Sequence, residues 1–342
     1  MEKIKGILNS LLNSFSVSGH ELFGKGAVEK IADGAFDEVK ADNMGTITLV
    51  KRSKRKDAKK LLIDAHYDTV GMMVKKVNKN GFLSFVPVGG LDTNVLPSCE
   101  VVVHGKEDVY GIITSTPPHL RTGGLKSPKM DELYIDTGYS TDKIKELVSI
   151  GDPVTYLQRI DYIASDCVTA SGLDDKACLA AIIDATIKMD REKMEYDVYL
   201  TASAQEETGK AGVARVAFDI EPDFAIVTDV NFANTDTEPS FDMIEMGKGA
   251  SIDLSAVTNR HLTKSVMKHL TKEQIPYQVV CEPAYTGTNT ESVSISGCGV
   301  PTLLMSIPLK SMHTPSETVS LRDIKSLSDI LVSIAYAKEL GI

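Results

Sequence analysis

The chain has 342 residues, of which 42% are apolar and 25% charged, and its formal net charge is −10. That length and apolar content suit one large domain or two moderate ones, and the acidic balance argues against a partner that is nucleic acid or an anionic membrane surface. Five cysteines with no CxxC pair make a poor disulfide framework, so a reduced, cytoplasmic protein is expected.

The opening MEKIKGILNSLLNSF spaces its apolar residues for a helix. It lacks the continuous apolar stretch and cleavage site of a signal peptide, and no segment reaches the roughly 20 apolar residues of a membrane span. GTITLV (45–50) and KLLIDAH (60–66) are expected as strands, with the basic run between them as a solvated hairpin loop without function. From Thr69 to Ile163, short β-type runs alternate with glycine and proline turns: VGMMVKKV, FLSFVPVG, EVVVHG, VYGIIT and PVTYL. Beyond Ser165 the pattern predicts a long amphipathic helix over 172–190, then strands at 196–204, 223–230, 276–280 and 301–307. A short helix after KAG, a helix near 262–273 and a closing helix over 321–338 complete it.

Strands alternating with helices predict an α/β sheet covered on both faces, begun by residues 1–68 and completed by 164–342. The β-rich part, 69–163, is then an inserted domain.

Several residues at predicted strand ends can carry chemistry. His66 and Asp68 close a strand on one face, with Tyr67 on the other, and a carboxylate near a histidine can fix its tautomer. Asp174 and Asp175 open the 172–190 helix, where capping would account for one of them. Glu206 and Glu207 leave the carboxyl end of the 196–204 strand, where adjacent residues point opposite ways and so can serve two different partners. Asp229 closes FAIVTDV, and His313 follows PTLLMSI. Ligands of open α/β sheets bind outside the carboxyl ends of the strands. Two histidines and three carboxylates there suit Zn²⁺, Co²⁺ or Mn²⁺, and their charge balance suits two ions.

The motifs AHYDTVG, SGLDDKA, QEETGKAG, VTDV and MHTPSETVSLRDI occur in this order. In order and spacing they resemble the M42 metallo-aminopeptidases, the glutamyl and deblocking aminopeptidases whose members also carry the label endoglucanase M. The similarity extends to VSGHE, VGG (88–90), GIITSTPPH (111–119), MGKGASI and GCGVPT, and so covers nearly the whole chain. It implies a phosphatase/hydrolase-like α/β domain with an inserted barrel-like β domain that supports self-association into dimer-based homo-oligomers, up to a dodecamer.

Carried over by residue, Asp174 bridges two divalent metals, one also held by His66 and Asp229, the other by Glu207 and His313. Glu206 matches the catalytic base and acid acting on a water shared by the metals, and Asp68 the residue that orients His66. The implied reaction is removal of N-terminal residues from peptides. Two departures bear on the substrate pocket: Asn231 and Phe232 stand where relatives carry Thr-His, and Asn289 where they carry an aspartate. A glycosidase reading has no use for two histidine ligands, and a non-catalytic metal-binding peptide binder leaves Glu206 without a task.

Overall fold

A computed structural model describes residues 1–117, 127–163, 166–234, 243–282, 284–338 and 340. The end of GIITSTPPH and position 164, where the second catalytic segment is expected to begin, lie outside them. Among the described residues, eleven strands join in one mixed sheet and six close a separate barrel, the architecture expected from the sequence. The middle of the sheet is four parallel strands in the spatial order Tyr196–Ser203, Lys59–His66, Phe224–Phe232 and Thr302–Lys310. Helices cover both faces, which is why these strands read as nearly unbroken apolar runs. Because the four run the same way, their carboxyl ends share one rim.

Antiparallel strands flank this centre. Glu38–Ala41 and Ile47–Lys51 extend it on one side; Glu317–Ser320, Cys167–Ala170 and Asp161–Ile163 extend it on the other. Two expectations change here. The basic run at 51–60 is not a hairpin loop, because Tyr196–Ser203 lies between Ile47–Lys51 and Lys59–His66 and pairs with both. Within the run, Arg52 pairs with Asp197 at 3.1 Å, while the buried Lys51 donates to the Thr186 carbonyl at 2.6 Å. Asp161–Ile163, inside the expected insertion, pairs with Cys167–Ala170 at the edge of the large sheet.

The helix Leu173–Lys188 is buried continuously from Leu173 to Thr186, so it is a core helix and not an amphipathic one. Glu2–Leu12 and Leu321–Ala335 pack with it in the core on one face of the sheet. Ala211–Ile220 and Thr290–Ser294 cover the other face through Val213, Val216, Ala217 and Val293.

The barrel runs Gly71–Val77, Leu83–Val88, Tyr134–Asp136, Asp108–Thr114, Glu100–His104 and Pro153–Tyr156 around the ring. It has its own core, including Met72, Val74, Leu83, Phe85, Val101 and Val103. No helix among the described residues is long and apolar enough to cross a membrane.

Candidate active site

The rim of the parallel strands gathers the residues singled out from the sequence. His66 ends one strand, Asp229 lies near the end of another, and Glu207 and His313 follow two more. Asp174 arrives from the start of the core helix. His66 Nε2 lies 3.0 Å from Asp174 Oδ1 and 3.9 Å from Asp229 Oδ1. His313 Nε2 lies 3.2 Å from the other Asp174 oxygen, Oδ2, and 3.3 Å from Glu207 Oε1. Two sets of possible metal ligands result, His66–Asp174–Asp229 and Asp174–Glu207–His313, each with its donor atoms within 4.8 Å of one another.

The backbone around these side chains is tightly tied. Glu206 and Glu207 do not continue the strand: they open a helical turn, Glu206–Gly209, after Gln205 at φ +58°. Both side chains consequently line the same cavity. Asp68 accepts hydrogen bonds from the amides of Glu206 and Glu207, at 3.0 and 3.1 Å. His66 Nδ1 is set by the Asp68 carbonyl oxygen at 2.9 Å, whereas the Asp68 carboxylate is 3.7 Å away. Asp68 therefore orients His66 through its main chain and holds the glutamate turn through its side chain. Tyr67 points the other way, fully buried, and donates to the Gly24 carbonyl.

Neither Asp174 nor Asp175 caps its helix; Gly172 occupies that position, and the Asp174–Asp175 peptide is cis. Gly89, at φ +78°, and Gly90 let the barrel-side loop approach the site: a Cβ on Gly89 would lie 2.8 Å from Val70 Cγ1, and one on Gly90 would lie 3.2 Å from His313 Nδ1. This accounts for the VGG stretch.

Two residues in the quoted motifs have parts that their sequence did not disclose. Glu317 is buried and accepts from the amides of His313 (2.7 Å) and Asp174 (3.2 Å), linking both ligand-bearing loops. Glu21 accepts from the amides of Gly19 and Gln205, each at 2.9 Å. The available signal was the placement of each in a motif, four residues after His313 for Glu317 and within VSGHE for Glu21.

The electrostatics fit divalent cations. Burial opposes charge on His313, but its hydrogen bonds with Asp174 and Glu207 outweigh this and raise it to about 11. Burial pushes Asp229 well above the usual carboxylate range, with Asp174 and Glu206 adding to it against the pull of His66. Burial likewise raises Glu206 to about 7, opposed by His66 and reinforced by Glu207. Glu206 Oε1 accepts no hydrogen bond among the described residues, and Lys210 Nζ is 3.8 Å from it. Buried like charges that raise one another are what bound cations would relieve, and carboxylate and imidazole donors suit Zn²⁺, Co²⁺ or Mn²⁺.

The cavity over these groups has a volume of about 420 Å³. Asn231 and Phe232 line it, as expected for positions that bear on the substrate pocket. Asn289 does not: it is buried beneath the rim, donating to Asp64 Oδ2 at 2.8 Å and Ser203 Oγ at 2.9 Å.

Known proteins resemble this chain in both sequence and fold. The family model of the M42 glutamyl aminopeptidases matches residues 45–330. The lysyl aminopeptidase of Pyrococcus furiosus is 31% identical over 327 residues, covering 93% of this chain and 92% of that protein. The TET aminopeptidase of a marine-sediment Thaumarchaeota archaeon superposes with a TM-score of 0.92 at 26% identity, over 98% of this chain and 96% of that one. The TET1 peptidase of Pyrococcus horikoshii, which can assemble into a tetrahedron or a large octahedral shell, gives 0.85 at 26% identity, over 97% and 99%.

Proposed function

Because the chain belongs to the M42 glutamyl aminopeptidase family, we propose that it is a dinuclear metal-dependent aminopeptidase that removes N-terminal residues from peptides. His66, Asp174 and Asp229 would hold one divalent ion, Zn²⁺ or Co²⁺ by preference and Mn²⁺ as an alternative; Asp174, Glu207 and His313 would hold a second. Bound there, such ions supply a polarised scissile carbonyl and a water acidified toward neutral pH. The sharing of Asp174 between two ligand sets, with Glu206 beside them, carries this reading.

The chain's own residues do the rest. Glu206 takes a proton from the attacking water and returns it to the departing amine, a task suited to its Oε1, which accepts no hydrogen bond among the described residues. Asp68 and Glu21 fix the turn that aims it, and Glu317 ties the loops of Asp174 and His313 together. Two imidazoles bracketing Asp174 serve metal binding and have no part in glycoside hydrolysis, so the endoglucanase label is not favoured. We assign self-association to the inserted domain, 69–163, and a reducing cytoplasm as its location, in keeping with five free cysteines.

Chelation followed by metal return tests the reading. Hydrolysis of aminoacyl p-nitroanilides should vanish in the stripped protein and return with Zn²⁺, Co²⁺ or Mn²⁺ as metal content approaches two ions per chain. N-acetylating a peptide substrate should abolish its cleavage. Full activity after stripping, or equal rates on blocked and free peptides, would overturn it.

A further inference from the structure

Past the His66–His313 cluster, the same cavity carries two more carboxylates, Asp253 and Glu282, to which the chemistry above gives no task. Asp253 lies within the strand Ser251–Leu254 and is fully buried. It accepts hydrogen bonds from the hydroxyls of Ser251 and Ser306. Asn231 Nδ2 donates to Glu282 Oε1 at 2.6 Å and lies 3.5 Å from Asp253 Oδ2. Three side chains from separate segments thus form one linked acidic corner. Among the described residues, no Lys or Arg lines the cavity.

Charge and shape point to the same occupant. The two ligand sets would place their cations beside Asp174, Glu207 and Asp229 and leave Asp253 and Glu282 without one. Burial raises Asp253 to about 6, against its hydroxyl partners and with Glu282 adding to the rise. A buried carboxylate gains from a cation placed beside it. The lining also includes Phe232, Met243, Leu304 and Met312, apolar surfaces suited to an aliphatic stem.

We propose that this corner receives the side chain of the substrate's N-terminal residue and selects lysine or arginine, whose charged end meets the half-buried Glu282, with Asp253 buried behind it. The proposal rests on the aminopeptidase reading of the site. A glutamate side chain in the same place would meet like charge and be rejected, and an uncharged stem would leave the two carboxylates unpaired.

The test compares lysyl, norleucyl and glutamyl p-nitroanilides on the metal-loaded enzyme, norleucine having the aliphatic stem without the ammonium. The kcat/KM for lysine should exceed that for norleucine by about tenfold or more, with glutamate lowest. Glu282→Gln should shrink the lysine-to-norleucine ratio at least about fivefold, Glu282→Asp should preserve more of it, and Glu282→Lys should raise glutamate above lysine. Calorimetric binding of lysinamide against norleucinamide gives a readout independent of turnover. Hydrolysis of all three substrates with a ratio near one, or a parallel loss of all three in Glu282→Gln, overturns the basic pocket while leaving the peptidase standing. Binding that favours lysinamide, without hydrolysis of any substrate, would uphold the pocket and sink the aminopeptidase reading. Absence of discrimination in both measurements overturns the pocket.

Discussion

Glu206 and Glu207 have the same chemistry and share one turn, yet they meet different neighbours. Glu207 Oε1 faces His313 Nε2 at 3.3 Å, within a ligand set, while Glu206 Oε1 has Lys210 Nζ at 3.8 Å. Glu206→Gln keeps the shape but cannot accept a proton, so metal content should hold while kcat falls about 10²- to 10⁴-fold. Glu207→Gln replaces an anionic donor with a neutral amide, so one ion should bind weakly and activity should recover in part at high metal concentration. Metal analysis beside kinetics decides it; loss of metal from Glu206→Gln with both ions kept by Glu207→Gln would reverse the two assignments. His66, Glu207, Asp229 and His313 were legible because each follows or ends an apolar run and parallel strands bring such ends together, whereas Asp174 stood out only as one of two aspartates opening a helix. Asn289 was less so, because an alignment-like match says which residue stands in a position and not which way it faces. Its partner Asp64 lies two residues before His66, inside the strand, where a charged residue is visible in sequence but its hydrogen bonds are not.

At the level of elements, the turn that carries the glutamates is held from outside. Three successive amides, those of Gln205, Glu206 and Glu207, donate to carboxylates of Glu21 and Asp68, which are far away in sequence. Periodicity identifies the strand Tyr196–Ser203 but cannot show that its exit is captured this way, because capture depends on the tertiary fold. The same limit hid the burial of residues 173–186 on all sides and the strand between Ile47–Lys51 and Lys59–His66. Glu21→Ala should leave the Gln205 and Gly19 amides unpaired, loosening the turn; kcat should fall on the order of 10- to 100-fold with metal content unchanged. Metal loss in step with kcat would show that the effect is not on the turn. Glu21 also sets a pH dependence. Burial raises its carboxyl to about 7, against hydrogen bonds from the Gly19 and Gln205 amides, and Asp68 adds to the rise. The folded state then binds more protons than the unfolded one between about pH 4.5 and 7, so this group's stabilisation is complete below that window and is lost as pH rises through it. Thermal unfolding of wild type against Glu21→Gln should show the wild type losing stability relative to the variant across that interval. A constant difference would remove Glu21 as the source.

For the whole molecule, the barrel poses the remaining question, since the clustered active-site side chains come from the large sheet and its core helix, and the Gly89–Gly90 loop approaches them from the barrel side. A closed barrel with its own core gains little from apolar residues on its outside. Yet Tyr110 and Ile112 stand 65% and 51% exposed on one strand, two residues apart and so on one face, and Tyr134 on a neighbouring strand is 37% exposed. Clustered exposed aromatic and aliphatic side chains mark association surfaces more often than open solvent. A groove beside them is lined by Glu100, Tyr110, Ile112 and Asp136 and would give a second copy both apolar and polar contacts. The expected outcome is an assembly larger than one chain, measured by light scattering at micromolar concentration. Ile112→Glu places a charge in the middle of that face, where an exposed position tolerates it in the folded monomer but burial against a partner would not. The variant should therefore dissociate into smaller species while its thermal unfolding, extrapolated to low protein concentration, stays near that of the wild type. A wild type that is strictly monomeric, or an Ile112→Glu variant with an unchanged assembly, would remove this face of the barrel from the contact.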